Sequence, residues 1–304
     1  MTATPLSRAQ CNLLLVFVAL IWGSAFVAQA LGMRGVGPLT FTGLRFALGA
    51  AIVAPFAWRE WRGLVAQGRQ PKRSDAAHIA ALGTLLFLGA AMQQVGMLTT
   101  TVTNAGFLTA LYVPLVPLLA WLGFRQAPHW SAWPAAIGCV YGTWLLTGGG
   151  GAPKLVVGDA WVVASSVPWA LHVVLVGRAA NRLHGALVVA TGQFLACSAL
   201  ATAAGLATET LTWSGLREAL WAIVYTGVLS VGLGFTLQVV AQRHARPADS
   251  AIVLSSETVF AAVFGAIFMG DRLGTTGLAG CALILGCVLM VQLQPLLRSI
   301  WTQR

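Results

Sequence analysis

A chain of 304 residues that is 58% hydrophobic and only 9% charged, with a mean hydropathy of +0.80, has lipid rather than water as its solvent, which excludes the soluble globular classes. A net charge of +10 would suggest nucleic acid in a soluble protein. Here the basic residues stand at the ends of apolar runs, where anionic headgroups and topology account for them, and no basic face interleaved with aromatics exists for bases to stack on.

Apolar runs of roughly 18–23 residues lie near 12–31, 39–58, 76–98, 102–123, 130–148, 157–177, 185–206, 216–237, 247–269 and 275–294. Each can cross a hydrocarbon core of about 30 Å at about 1.5 Å per residue, so the sequence predicts an all-α polytopic membrane protein of ten transmembrane helices. Arg8 followed by an apolar core and Ala28-Gln29-Ala30 resembles a cleavable signal, yet Trp22 within this run recurs as Trp169 in the sixth, which makes the run a span. Between the third and fourth runs Thr99-Thr100-Thr101 forms a tight uncharged turn. Thr103 and Asn104 are natural caps for the helix that follows. Pro114 and Pro117 then remove two backbone hydrogen bonds near mid-bilayer, which membrane helices tolerate where a cavity or a neighbour repairs the loss. The run Gly148–Gly151 lacks the Lys-Ser/Thr of a phosphate loop and reads as a hinge between halves.

The hairpin around Asn104 recurs about 146 residues later around Ser250, and Gly138-Cys139-Val140 recurs as Gly286-Cys287-Val288. The chain is therefore read as duplicated, with one half over 1–150 and the other over 151–304. One set of alternate loops and ends holds thirteen Lys and Arg residues: Arg8, the five from Arg59 to Arg73, Arg125, Arg178, Arg182, Arg243, Arg246, Arg298 and Arg304. The other set holds four, Arg34, Lys154, Arg217 and Arg272. This asymmetry places both termini in the cytoplasm. Five spans per half give the halves opposite topology, with a site expected at the midplane between them.

Polar groups inside spans cost free energy unless they are paired or face water. Glu257, about ten residues into the ninth run, is either a substrate-amine or proton site, or a neutral carboxyl bonded to neighbouring helices. Arg45 either snorkels and holds loop carbonyls or meets a substrate carboxylate. Trp22 with Phe26, and Trp169 with His172, form equivalent pairs on the first and sixth helices. For His172 a hydrogen-bonded interhelix contact stands beside a ligand role. Gln93, Gln94, Gln238 and Gln242 either hydrate a path or bridge helices. Tyr112 adds a hydroxyl. Gly106, Pro114, Pro117 and Gly265 are the candidate gating positions, with the fourth span expected to bend and the ninth, lacking internal prolines, to tilt rigidly. Catalytic acid pairs, HExxH and GxSxG are absent, the spans carry no clustered acids for a metal, and the five cysteines form no CxxC. No enzyme, cofactor or metal site is expected.

Leu20-Ile-Trp-Gly-Ser-Ala-Phe-Val27, Ser255-Ser-Glu-Thr-Val-Phe-Ala261 and the closing Gly270-Asp271-Arg272 resemble the EamA-type members of the drug/metabolite transporter superfamily, over nearly the whole chain. That family usually has Glu-Pro at Glu257-Thr258 and Gly-Glu-Arg at Gly270-Asp271-Arg272; the first half departs further, with Gly123-Phe124-Arg125. The resemblance implies ten helices in two inverted five-helix repeats. It also implies a multi-pass protein of the bacterial inner membrane that works as a monomer on a small-molecule substrate. Within the superfamily the chain most resembles exporters of amino acids, aromatic ones in particular. The implied function is export of small amphipathic metabolites by alternating access as a gradient-driven uniporter, using Trp22, Phe26, Asn104, Tyr112, Trp169, His172 and Glu257. The alternatives are a proton-coupled antiporter using Glu257, an importer, and a non-transporting scaffold or sensor. The topology is tested by single cysteines at Gln67 and at Gly150 in a background without native cysteines: an impermeant thiol reagent added to intact cells labels Gly150 and spares Gln67. Equal or reversed labelling would sink the inverted arrangement.

Overall fold

The computed structural model describes residues 6–69, 72–146, 156–270, 272 and 274–302. The first half comprises α1 (Arg8–Gly32), α2 (Pro38–Ala66), α3 (Arg73–Gly96), α4 (Val102–Thr109), α5 (Tyr112–Phe124) and α6 (Ala132–Leu146). The second comprises α7 (Val157–Leu183), α8 (Ala186–Thr208), α9 (Trp213–Tyr225), a π-helical stretch Thr226–Phe235 and α10 (Thr236–Gln242), then α11 (Pro247–Leu254), α12 (Glu257–Phe268) and α13 (Thr275–Thr302). With α4–α5, α9–α10 and α11–α12 each counted as one crossing, eight crossings are long and apolar enough to span a bilayer, and α6 and α13 complete the two halves. The fold is all-α, with ten membrane helices in two inverted five-helix repeats. The run Gly148–Gly151 and Asp271 lie outside the described residues.

Several expectations change. The fourth span is capped by Thr101, whose Oγ accepts from the Asn104 N–H at 3.1 Å, so neither Thr103 nor Asn104 is the cap. The expected break in that span falls at Ala110–Leu111. Pro114 is the third residue of the restarted helix α5. Its missing N–H cannot reach the Ala110 carbonyl, which accepts from the Val113 N–H at 2.9 Å instead. The ninth span is not the rigid partner expected of a helix without proline. It breaks at Ser255–Ser256, where three hydroxyls bond back to carbonyls three residues earlier: Ser255 to Ile252 at 2.6 Å, Ser256 to Val253 at 2.7 Å and Thr258 to Ser255 at 2.9 Å. Such back-bonding competes with the backbone ladder and bends helices. The eighth span widens into a π-helix over a glycine-rich segment holding Gly227, Gly232 and Gly234.

The halves are interleaved, and the packing obeys their pseudo-twofold relation. Helix α2 packs along its own counterpart α8, and α6 along α13; α3 packs on α7 as α1 packs on the eighth span. Helices α2 and α8 both start after a glycine, Gly37 and Gly185, which offers no side-chain cap. Each helix supplies the missing acceptor for the other. The Glu209 carboxylate, at the end of α8, accepts from the Leu39 and Thr40 N–H groups at 2.8 Å each. On the opposite face the Glu60 carboxylate of α2 accepts from Ala186 and Val188 at 3.1 and 2.9 Å. A negative group on a helix N-terminus also gains from the macrodipole. The α3–α7 pair is tied in the same way. Asp75 receives the Lys72 N–H and the Arg182 guanidinium, both at 2.8 Å, while Asp159 receives the Val156 N–H at 2.9 Å and the Thr100 hydroxyl at 2.6 Å.

This reciprocity predicts that Glu60→Ala and Glu209→Ala each lower stability by about 1–2 kcal/mol, the cost of losing a charged helix cap. The two losses should add, because the sites lie at opposite ends of a helix pair. Thermal unfolding of the purified single and double variants in detergent measures this. A silent substitution at either end would show that the caps do not hold the frame.

Candidate substrate-binding site

A cavity of about 50 Å³ lies where both halves meet at mid-span, bounded by the broken fourth and ninth spans. That is room for a few waters. Five of the seven residues expected from the sequence line it: Trp22, Phe26, Tyr112, Trp169 and Glu257.

Two expected residues do not reach it. Asn104 is half-buried in the first turn of α4, at the face opposite the N-terminus, because the break beyond Thr109 leaves Thr109 and Tyr112 as the polar groups at cavity depth. His172 is fully buried behind the cavity wall. Its Nε2 pairs with the Gln193 Oε1 at 2.8 Å, and its ring lies edge-on to Trp169 and Phe235 at 6.3 Å from each, so it joins α7 to α8. The aromatic wall also differs from two open indole faces. Phe235, from the end of the π-helix, sits between them, 4.6 Å from the Trp22 ring and 5.9 Å from that of Trp169, to which it is nearly parallel. Each indole rests on a glycine of the other half. A methyl built on Gly89 would lie 2.9 Å from the Trp169 ring, and one on Gly234 would lie 2.8 Å from the Trp22 Nε1, which donates to the Ser230 carbonyl at 3.2 Å. Phe235 and these glycine seats left no signal in an apolar sequence.

The polar side of the cavity is built on Gln29, which sequence reading passed over. Its Oε1 accepts from the Arg45 Nη1 and from the Gln94 Nε2, both at 2.5 Å. Arg45 is 3% exposed, so it does not snorkel; the Phe41 and Phe46 rings flank its guanidinium at 5.7 and 5.2 Å. Gln93 donates to the Thr109 hydroxyl at 2.8 Å, and Gln238 lines the cavity with its Oε1 unpartnered. Gln242 instead bridges to the Val173 carbonyl at 3.2 Å. Glu257 is 4% exposed at the first position of α12, and Tyr112 holds the same position in α5. The Tyr112 hydroxyl is buried without a partner, and among the described residues nothing donates to the Glu257 carboxyl.

Of the gating candidates, Gly106 faces α12, where a methyl would lie 3.3 Å from the Ala261 Cβ; Gly265 is buried within α12 and Pro117 lies inside α5. The tightest seat in this region is Gly23 on α1. A methyl there would come within 2.4 Å of the Phe260 Cβ, 2.8 Å of the Ala261 nitrogen and 2.9 Å of the Glu257 carbonyl. Gly23→Ala must therefore push α1 away from the turn that carries Glu257. The expected result is a folded protein with at least a tenfold loss of transport; unchanged transport would show that this contact does not set the site.

The comparisons with known proteins agree in kind. A protein described as an uncharacterized transporter from Archaeoglobus fulgidus is 26% identical over 292 residues, covering 96% of this chain and 89% of its own. The threonine/homoserine exporter RhtA of Salmonella typhimurium is 25% identical over 299 residues, 94% of each chain. RhtA of Escherichia coli is 26% identical over 269 residues, covering 86% of this chain and 83% of its own. A solved crystal structure superposes with a TM-score of 0.74 at 22% identity, over 94% of this chain and 98% of that one, a likeness of fold alone. The model of the EamA-like transporter family matches twice, over residues 10–148 and 156–293, and the chain belongs to that family.

Proposed function

We propose that this multi-pass membrane transporter exports small amino acids by alternating access, with the broken spans of the two halves, 1–150 and 151–304, acting as the gates. The observation that carries this reading is the cavity itself. Its walls come from both inverted halves, and the restarted helices α5 and α12 present their first residues, Tyr112 and Glu257, to it. Broken helices that end at a shared midplane cavity are the arrangement by which repeats rock about a fixed site. The apolar wall of Trp22, Phe235 and Trp169 takes a side chain, and the few polar groups take what all amino acids share. The named exporters among the relatives, for threonine and homoserine, make compact polar amino acids the first substrates to test, and aromatic ones require the Trp22–Phe235–Trp169 stack to part.

The thirteen-to-four distribution of basic residues supports a cytoplasmic location for both termini, and the reading sets the protein in a bacterial inner membrane. Gating is assigned to the two breaks, with Pro114 and Pro117 loosening the fourth span and Gly106 and Gly265 letting it slide on the ninth. No second partner enters this reading, and the protein acts as a monomer. Flux follows the substrate's own gradient. The second reading, proton antiport, is favoured by one observation, a mid-membrane carboxyl that no neighbour holds.

Uptake of labelled amino acids into proteoliposomes, with and without an imposed pH difference, separates the two readings. Downhill flux of threonine that the pH difference leaves unaltered, and that Glu257→Gln lowers without abolishing, is the expected result. Accumulation against the gradient under a pH difference, lost in Glu257→Gln, would replace the uniporter with a proton antiporter.

A further inference from the structure

The ion pairs among the described residues, Arg8–Asp249 at 3.1 Å and Arg182–Asp75 at 2.8 Å, both lie at the face that carries the N-terminus. Arg45 has no such partner. It sits 3% exposed inside the second span, its Nε buried without an acceptor, and its one side-chain acceptor, the Gln29 Oε1, is shared with Gln94. A guanidinium carries five N–H donors in a planar fork shaped to a carboxylate. Burying it in a membrane interior without an anion is costly, and an unsatisfied buried polar group that lines a cavity can be completed by a ligand entering it. Glu257 lines the same cavity, 4% exposed and equally unpaired. The two opposite charges are more than 4.0 Å apart, since they form no ion pair, and the Tyr112 hydroxyl and Gln238 Oε1 beside them are also unpartnered.

We infer that Arg45 and Glu257 are the two poles of a zwitterion site, in which the guanidinium takes a substrate's α-carboxylate and the Glu257 carboxylate takes its α-ammonium. This rests on the proposed amino-acid reading and gives it an orientation: carboxylate toward Gln29 and Arg45, ammonium toward the start of α12, side chain against Trp22, Phe235 and Trp169. Arg45 and Glu257 come from different halves, so the ligand spans the interface that must open. Each end also supplies what the other lacks. The ammonium neutralises a carboxylate that no residue holds, and the carboxylate neutralises a guanidinium shared only with an amide.

Binding to the purified full chain in nanodiscs tests this, with threonine and phenylalanine, their methyl esters, which lack the carboxylate charge, and their N-acetyl forms, which lack the ammonium. In the wild type each free amino acid binds at least about 10-fold more tightly than either derivative, the scale of one charge-assisted hydrogen bond lost in a dry site. Arg45→Gln removes the gap to the methyl ester and keeps the gap to the N-acetyl form; Glu257→Gln does the reverse. Arg45→Lys, which keeps the cation but not the fork, retains part of the ester gap and guards against a folding defect in the neutral variant. A wild type that binds none of these compounds, or binds ester and acid alike, overturns the site without recourse to any variant, as does an Arg45→Gln protein that still tells them apart. Flux in proteoliposomes separates the two proposals. The expected binding pattern without flux overturns the exporter and leaves the zwitterion site standing, whereas threonine flux without discrimination does the opposite.

Discussion

The interior of a bilayer has no water to complete a broken helix, so a chain that interrupts two spans at mid-membrane must supply every lost partner itself. The two interruptions solve this in different ways. At Ala110–Leu111 a proline removes the donor, and the orphaned carbonyl is taken by a tighter bond from Val113. At Ser255–Ser256 the donors remain, and three hydroxyls within four positions occupy carbonyls of the preceding turn. Once the breaks are repaired locally they can face a cavity, and each restarted helix then aims its N-terminus there. That end carries partial positive charge. It suits the Glu257 carboxylate, and it gives a polar ligand a reason to stop at this depth.

The sequence made the spans, their number and the duplication legible, because hydropathy over twenty residues is a strong signal and Trp22 with Trp169 is a rare residue repeated in register. It also exposed Glu257 and Tyr112, since a lone acid or phenol in an apolar run stands out. What it hid was geometry. The cap of α4 lies two or three residues before the candidates Thr103 and Asn104, because Thr101 is an equally competent cap and only the backbone decides among them. The break in the ninth span was missed because serines and threonines inside a helix usually satisfy themselves quietly; here three in four positions act together. The sequence pattern puts Trp169 and His172 on one helix face, yet the larger ring reaches the cavity and the smaller one stays behind it, paired with Gln193. Phe235 belongs to a π-helix, whose period no search for a 3.6-residue repeat detects.

The fold is close to symmetric while its chemistry is not. Because α2 begins at Pro38 and α8 at Ala186, the position equivalent to Arg45 is Gln193. Both sit at the same depth of equivalent helices, and both bond a side chain on a neighbouring helix, Gln29 in one half and His172 in the other. One pair carries a guanidinium and lines the cavity; the other is sealed behind Trp169 and Phe235. Tyr112 and Glu257 divide in the same way, a neutral phenol in the first half and a carboxyl in the second. At the cavity, among the described residues, one repeat thus presents a cation outside any ion pair and the other an anion outside any ion pair.

That division matters for how a transporter moves. A ligand shifts a conformational equilibrium only by the difference in its affinity for the two states. A ligand gripped by one half alone would travel with that half, and its binding free energy would change little as the other half rocked. A ligand held between Arg45 and Glu257 touches both, so any rotation of one repeat against the other stretches or shortens its contacts. The caps at Glu60 and Glu209 tie α2 along α8, so that in the proposed cycle the motion would fall to the broken spans and to α1, pressed against the start of α12 through Gly23. Displacing α12 from α1 moves Glu257 while Arg45 stays with the α2–α8 frame. In the proposed zwitterion site the distance between the two poles would then be set by the gate itself, which couples occupancy of the site to opening of the gate.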